Sequence, residues 1–239
     1  MNKKAFKVLL CIPPAYSRLY PPLGTAALAG FLKSRGIAAF QEDLNINFFE
    51  YARRNKLRLI FSKSYINDRI KNRVYYYRDL IYKNGPGVPF YLFEKVPGAG
   101  FDFTEKLLSS KNLLRYIDDE RENIFYKFFK HDLLDRIKKE RFNMVCFSIT
   151  APSQVISSFT FGRIVKSEMS DAHLVMGGQW VSLFKEELTK RAGFSAFYDY
   201  LIYSEGETPL YSLIDSIRKK RPLSGVPNLI YKRRGRFIG

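Results

Sequence analysis

Phe6 to Ile12, "FKVLLCI", is a continuous apolar run halted by Pro13 and Pro14. A strand with no polar alternation must be buried on both faces, and a sheet buried on both faces is built from parallel strands whose crossover helices cover it. The following stretch supplies such a crossover. In "LGTAALAGFLKSRG", Leu23, Ala26, Ala27, Gly30 and Phe31 recur at helical spacing, Pro22 stands ahead of it and Gly36 ends it. The unit then repeats. "IAAFQEDLNI" reads as a second strand ending in Asp43, "FNMVCFSIT" and "AHLVMGG" as a third and fourth, and "YDYLIYSEG" as a fifth that enters the helix "ETPLYSLIDSIRKK". Strands alternating with helices predict an α/β fold with a doubly wound, mainly parallel sheet and right-handed crossovers.

The alternation stops between Asn47 and Glu140, where Phe, Tyr, Lys and Arg accumulate around the Gly/Pro-rich stretch "KNGPGVPFYLFEKVPGAG". A structureless loop of that length does not suit a compact domain. The period of "DDERENIFYKFFKHDLLDRIKKE" predicts an amphipathic helix leading into the third strand, so the segment reads as a large, mostly helical insertion. Beyond the last helix, "GVPNLIYKRRGRFIG" has the pattern of a hairpin with a basic turn at Lys232 to Gly235. The placement predicted for Val226 to Gly239 is a loosely packed linker; the alternative is an edge hairpin that finishes the sheet.

Charge narrows the function classes. The net charge of +17 is concentrated in Arg53 to Lys83, with ten basic and two acidic residues, and in Arg218 to Gly239, with eight basic residues and no acid. Basic residues beside Tyr75, Tyr76 and Tyr77 could contact phosphates and stack on bases. No nucleic-acid motif accompanies them, so a solvated helix face or a docking surface for an acidic partner is the preferred reading over nucleic acid. The alternative function that this leaves standing is a basic α/β interaction module with no cofactor. No apolar run reaches the roughly 20 residues of a membrane-spanning helix, and the N-terminus is too short and strand-like for a signal peptide, so a cytoplasmic protein is expected. Cys11 and Cys146 both lie inside apolar runs and read as buried thiols.

In open α/β sheets, ligands bind outside the carboxyl ends of the strands. Those ends carry a Pro-rich turn, then "EDLNINFF", "SITAPSQ", "GGQWVS" and "SEGETP", four of them with the small or hydroxyl residues that let backbone approach a ligand. The first turn offers Gly24 alone after Pro21, Pro22 and Leu23, which does not satisfy G-x-G-x-x-G, and no G-x-x-x-x-G-K-[ST] occurs. Dinucleotide and nucleoside-triphosphate motifs are both missing.

Taken in order, "PPLGTAALAGFLKSRG", "EDLNINFF", "SITAPSQ", "GGQWVS", "SEGE" and "GVPNLIYKRRGRFIG" resemble the N-terminal cobalamin-binding domain of B12-dependent radical SAM proteins. The resemblance covers the chain outside the insertion. It implies a flavodoxin-like or Rossmann-like cobalamin-binding domain over residues 1–225, with the insertion at about 47–140. It also implies that 226–239 is a basic hairpin leading toward a radical SAM barrel. The implied cofactor-binding residues are Tyr20, Pro21, Leu23 and Gly24 after the first strand, Asp43 after the second, and Ser148 and Thr150 after the third. Gly177, Gly178 and Gln179 follow after the fourth, and Glu205, Gly206 and Glu207 after the fifth. Ser148 and Thr150, with the Gly177–Gly178 pair, would grip the nucleotide tail.

In the wider cobalamin-binding fold, a D-x-H-x-x-G motif supplies a histidine to cobalt. Set on Gly24, that motif puts Pro21 where the histidine would stand, so the resemblance implies cobalamin without an axial histidine from the first turn. His131 and His173 lie elsewhere, and Tyr16, Leu19 and Tyr20 become candidates to cover the lower face. Such relatives continue into a barrel whose C-x-x-x-C-x-x-C thiolates hold an iron-sulfur cluster. This chain has no such motif before Gly239. S-adenosylmethionine and the [4Fe-4S] cluster are therefore expected only in a barrel supplied in cis or by a partner. The reaction implied is methyl transfer, with this chain not catalytic alone.

Overall fold

The computed structural model describes residues 5–14, 22–55, 110–121, 123–151, 154–190, 192–233 and 236–239. Seven strands form one sheet: β1 Lys7–Ile12, β2 Ala38–Asp43, β3 Met144–Ser148, β4 His173–Gly177, β5 Tyr200–Ile202, β6 Leu229–Arg233 and β7 Arg236–Ile238. Their spatial order is β2-β1-β3-β4-β5-β6-β7. The first five are parallel, and β6 and β7 join antiparallel at one edge. The mainly parallel α/β fold expected from the apolar runs is the fold observed.

Eight helices flank the sheet among the described residues. They are α1 Leu23–Ser34, α2 Leu44–Arg54, α3 Ser110–Ile117, α4 Ile124–Lys127, α5 Leu134–Glu140, α6 Val155–Glu168, α7 Gln179–Lys190 and α8 Glu207–Lys219. Each central strand sends alternate side chains to opposite faces, and this splits the apolar core in two. Val8 and Leu10 of β1 join Met144, Cys146, Val175 and Ile202 under α1 and α8. Leu9 and Cys11 join Val145, Phe147, Leu174 and Met176 beneath the remaining helices. Helices on both faces make the sheet doubly wound. β1 lies between β2 and β3, so α1 and α6 leave neighbouring strands toward opposite faces and a crevice opens between them.

Two elements depart from the sequence reading. The sequence places the mostly helical insertion from about residue 47, but β2 runs directly into α2 at Leu44, and Leu44, Phe48 and Ala52 of that helix are buried one above another. Asp43 starts this helix, its carboxylate accepting the Ile46 N–H at 3.0 Å. The expected amphipathic helix before β3 is present but broken in register: between α4 and α5, Phe128–Leu133 winds as a π-helix. Phe128 and Phe129 are both buried at the start of this wider turn. The Gly/Pro-rich stretch and the Arg53 to Lys83 charge run fall mostly outside the described residues.

The C-terminal hairpin is not the loosely packed segment predicted: it takes the alternative placement, at the edge of the sheet. β6 pairs with β5 through Tyr200↔Tyr231, Leu201↔Ile230 and Ile202↔Leu229, and β7 adds outside it. Val226 and Leu229 are buried, so the entry to the hairpin is part of the core.

Candidate functional site

At the carboxyl edge of the sheet, a cavity of about 290 Å³ opens between α1, α8 and the ends of β1, β3, β4 and β5. Its walls are the apolar side chains Leu10, Leu28, Val175, Ile202 and Leu210, and its mouth is polar. Eight residues singled out from the sequence line it: Gly24, Ser148, Thr150, Gly177, Gly178, Glu205, Gly206 and Glu207. They come from four separate chain segments, and it is the parallel order that brings them to one place.

Each turn is built for a distinct reason. After β3, the buried amide of Gln154 organises the chain: its oxygen accepts from Thr150 N at 2.8 Å, Thr150 Oγ1 at 2.9 Å and Ala151 N at 3.1 Å. The nitrogen of the same amide donates to the Pro13 carbonyl at 2.9 Å, tying the β3 turn to the β1 exit. Ser157 Oγ donates to the neighbouring Pro14 carbonyl. The Thr150 hydroxyl is therefore engaged in the turn. Ser148 is half-buried, and its hydroxyl has no protein partner among the described residues.

The two glycines after β4 differ. Gly178 has φ +100°, and a β-carbon there would stand 2.5 Å from the Ile149 carbonyl oxygen. The Ile149 N–H bonds to the Gly177 carbonyl at 2.8 Å, and the Trp180 N–H returns to the Ile149 carbonyl at 3.1 Å. Gly178 is thus demanded by the close packing of the β3 and β4 exits, whatever the cavity holds. At Gly177 a β-carbon would lie 3.2 Å from the Ile202 carbonyl oxygen, whereas at Gly24 it would meet nothing within 4 Å. Gly24 faces open space at the cavity.

After β5, Ser204 sits at φ +60° and its N–H bonds to Ser182 Oγ at 2.9 Å. This bend carries Glu205 to the mouth and places Gly206 ahead of α8, under Leu28 of α1. Glu207 Oε2 accepts the Gly206 N–H at 3.2 Å. Among the described residues, no Lys or Arg lines the cavity. Its described lining offers a phosphate two carboxylates, and offers a flat, neutral ring with amide donors apolar walls and acceptors.

Three other sequence candidates lie outside this cavity. Leu23 begins α1 and is 73% exposed, Asp43 caps α2, and Gln179 is exposed at the start of α7. Tyr20, Pro21, Tyr16 and Leu19 are outside the described residues. Thr25, Leu28, Cys146, Ser204 and Leu210 line the cavity without having been singled out. The helical period of α1 could have flagged Thr25 and Leu28, one and four residues past Gly24. Cys146 is buried, and burial pushes its thiol well above the ordinary range. His131 belongs to the π-helical turn on the opposite face of the sheet, and His173 opens β4 at the amino edge, its Nδ1 3.4 Å from the Tyr200 hydroxyl. Neither histidine is placed at the cavity.

No protein-family model matches the chain. Over 140 residues it is 28% identical to an uncharacterized methyltransferase of Pyrococcus horikoshii, a match covering 59% of this chain and 29% of that protein. Among solved structures it is similar to the radical S-adenosylmethionine methyltransferase TsrM from Kitasatospora setae, in a form with cobalamin and a [4Fe-4S] cluster bound. The TM-score is 0.46 at 16% identity, over 98% of this chain and 28% of TsrM. A second TsrM structure, with tryptophan substrate and the S-adenosylmethionine analog aza-SAM bound, gives a TM-score of 0.46 at 15% identity, over 98% and 30% of the two chains. The chain spans less than a third of the length of each of these proteins.

Proposed function

We propose that this chain is a cobalamin-binding domain or subunit that serves a B12-dependent radical SAM enzyme in methyl transfer. The observation that carries the reading is the cavity itself, an apolar slot at the carboxyl edge lined by eight residues that the sequence resemblance had named one by one. The residues suit the tail of that cofactor. Leu10, Val175, Ile202 and Leu210 would enclose its flat base, Gly24 leaves the entrance clear, Ser148 offers an uncommitted hydroxyl, and Glu205 and Glu207 would accept amide N–H groups. The corrin is too wide for 290 Å³ and would lie across the mouth. When bound, cobalamin supplies a cobalt that can accept and pass on a methyl group. The likeness to a relative named as a methyltransferase supports the same reaction class.

In this reading residues 1–225 hold the cofactor and 226–239 lead toward the barrel, which brings S-adenosylmethionine and the cluster in cis or in a partner. No axial histidine comes from the first turn. The chain's single Trp, Trp180, packs beside the β4 exit and reports on the site. Titration with hydroxocobalamin should quench its fluorescence and shift the visible spectrum. Gly24→Trp fills open space at the entrance and should weaken binding about tenfold or more with folding intact. A folded wild-type protein that shows neither change at high micromolar cofactor, or a Gly24→Trp variant that binds as well as wild type, would overturn the proposal.

A further inference from the structure

The strand register sets the floor of the 290 Å³ cavity in two rows of side chains. Leu10 pairs with Cys146 and Cys146 with Val175, so these three make a deep row on the face covered by α1 and α8. Two residues further along each strand, on the same face, comes a rim row. Ser148 pairs with Gly177 there, and Ile202 follows Leu201, the partner of Met176, which puts it level with Gly177 on β5. Gly177 has no side chain, so a slot opens between Ser148 and Ile202 with Val175 beneath it. Leu28 of α1 and Leu210 of α8 line the slot from the helix side.

Uncommitted polar atoms are scarce in this slot. The Thr25 hydroxyl donates to the Pro22 carbonyl at 3.1 Å, and Thr150 Oγ1 donates to the Gln154 amide at 2.9 Å. Among the described residues the deep row offers only the buried Cys146 thiol, and the rim row only the Ser148 hydroxyl. Glu205 is exposed, and Glu207 holds the Gly206 N–H with one of its carboxylate oxygens. Both carboxylates come from the turn after β5, beyond the rim row.

This lining bears on the cofactor's lower base, and the inference rests on the cobalamin reading above. Beyond its glycosidic nitrogen, dimethylbenzimidazole carries one ring nitrogen and two methyl groups. Adenine in the same place would carry three ring nitrogens and an exocyclic amine. Methyl groups gain by leaving water for aliphatic walls, whereas polar edges lose their water and find one hydroxyl among them. We propose that the slot selects the cofactor by its base, taking dimethylbenzimidazole and discriminating against adenine, with Leu28 and Val175 as specificity-determining residues.

The test titrates the full chain by Trp180 fluorescence with cobalamin, its adenine-containing analogue and cobinamide, which has no base. Excess cyanide occupies both axial positions of cobalt in each, so the base is free of the metal. Cobalamin should bind about tenfold or more tightly than the adenine analogue, the scale on which an apolar pocket separates ligands that differ by methyl groups and unpaired polar atoms. It should also bind more tightly than cobinamide. Leu28→Gln brings an amide into the slot and should reduce the preference for cobalamin over the adenine analogue to about threefold or less, with cobinamide binding unchanged. If that variant does not fold by circular dichroism, Val175→Thr gives the same reading with almost no change of volume. Equal affinity for the two bases, cobinamide binding as tightly as cobalamin, or a preference that the folded variant leaves intact overturns the inference. Each of those results leaves corrinoid binding standing, whereas a folded chain that binds none of the corrinoids removes the cobalamin reading and this inference with it.

Discussion

At Gly178 a β-carbon would collide with the Ile149 backbone at 2.5 Å, while at Gly24 it would find nothing within 4 Å. The same residue type therefore answers two demands at one cavity. Gly178→Ala should cost about 2 kcal/mol or more, since strain at positive φ adds to a backbone clash. Gly24→Ala, in the first turn of α1, should be neutral or stabilising by about 0.5–1 kcal/mol. Urea unfolding of the two variants checks both, and equal stability would remove the distinction. The sequence showed that small residues gather at the strand ends, because "GGQWVS" and "SEGETP" are visible as words. It could not show which glycine serves the fold and which the cavity. That depends on Ile149, which is nearly thirty residues away in the chain and adjacent only after β3 and β4 pair. Gln154 was missed for the same reason, because its role requires the Pro13 carbonyl to be delivered from β1.

At the scale of elements, legibility followed burial symmetry. β1, β3 and β4 have apolar neighbours on both faces and therefore announce themselves as continuous runs. α2 does not, because Ile46 is exposed and the helix alternates Phe with Asn and Glu, so its Leu44–Phe48–Ala52 stripe is diluted. The π-helical turn was invisible, since an inserted residue breaks the very period used to find a helix. The hairpin pattern was legible but its placement was not, because pairing with β5 is a long-range event. Its two strands should behave differently. Among the described residues β6 is paired on both sides and β7 on one, so the Ile230 and Tyr231 amides should exchange with solvent as slowly as those of β5, and the Phe237 amide faster. Hydrogen exchange resolved by residue measures this directly. Fast exchange throughout β6 would contradict the observed pairing.

Over the whole molecule, the buried titratable groups bias stability toward neutral pH. Burial pushes the Cys11 and Cys146 thiols upward from their ordinary 9.0, and burial with the Asp199 charge pushes Tyr200 up to about 12. Above pH 9 the unfolded chain releases these protons while the folded chain keeps them, so the unfolded state binds fewer and stability falls as pH rises. The contribution is complete below the unfolded values and is lost progressively above them. Urea midpoints should therefore decline between about pH 9 and 11, and Cys146→Ala should flatten the first part of that decline; a midpoint constant over the range would refute it. His173 has the opposite sign. Burial lowers it from 6.5, so its contribution is present above that value and is lost as pH falls. The antiparallel edge has one more consequence, a mechanical one. The end of β7 lies beside the start of β6, so a tension applied at Gly239 unzips the hairpin one residue pair at a time. The same tension on β1, clamped in parallel between β2 and β3, must shear both ladders at once. A neighbour attached at the hairpin could tug on this molecule and peel its rim while the crevice between β1 and β3 kept its shape.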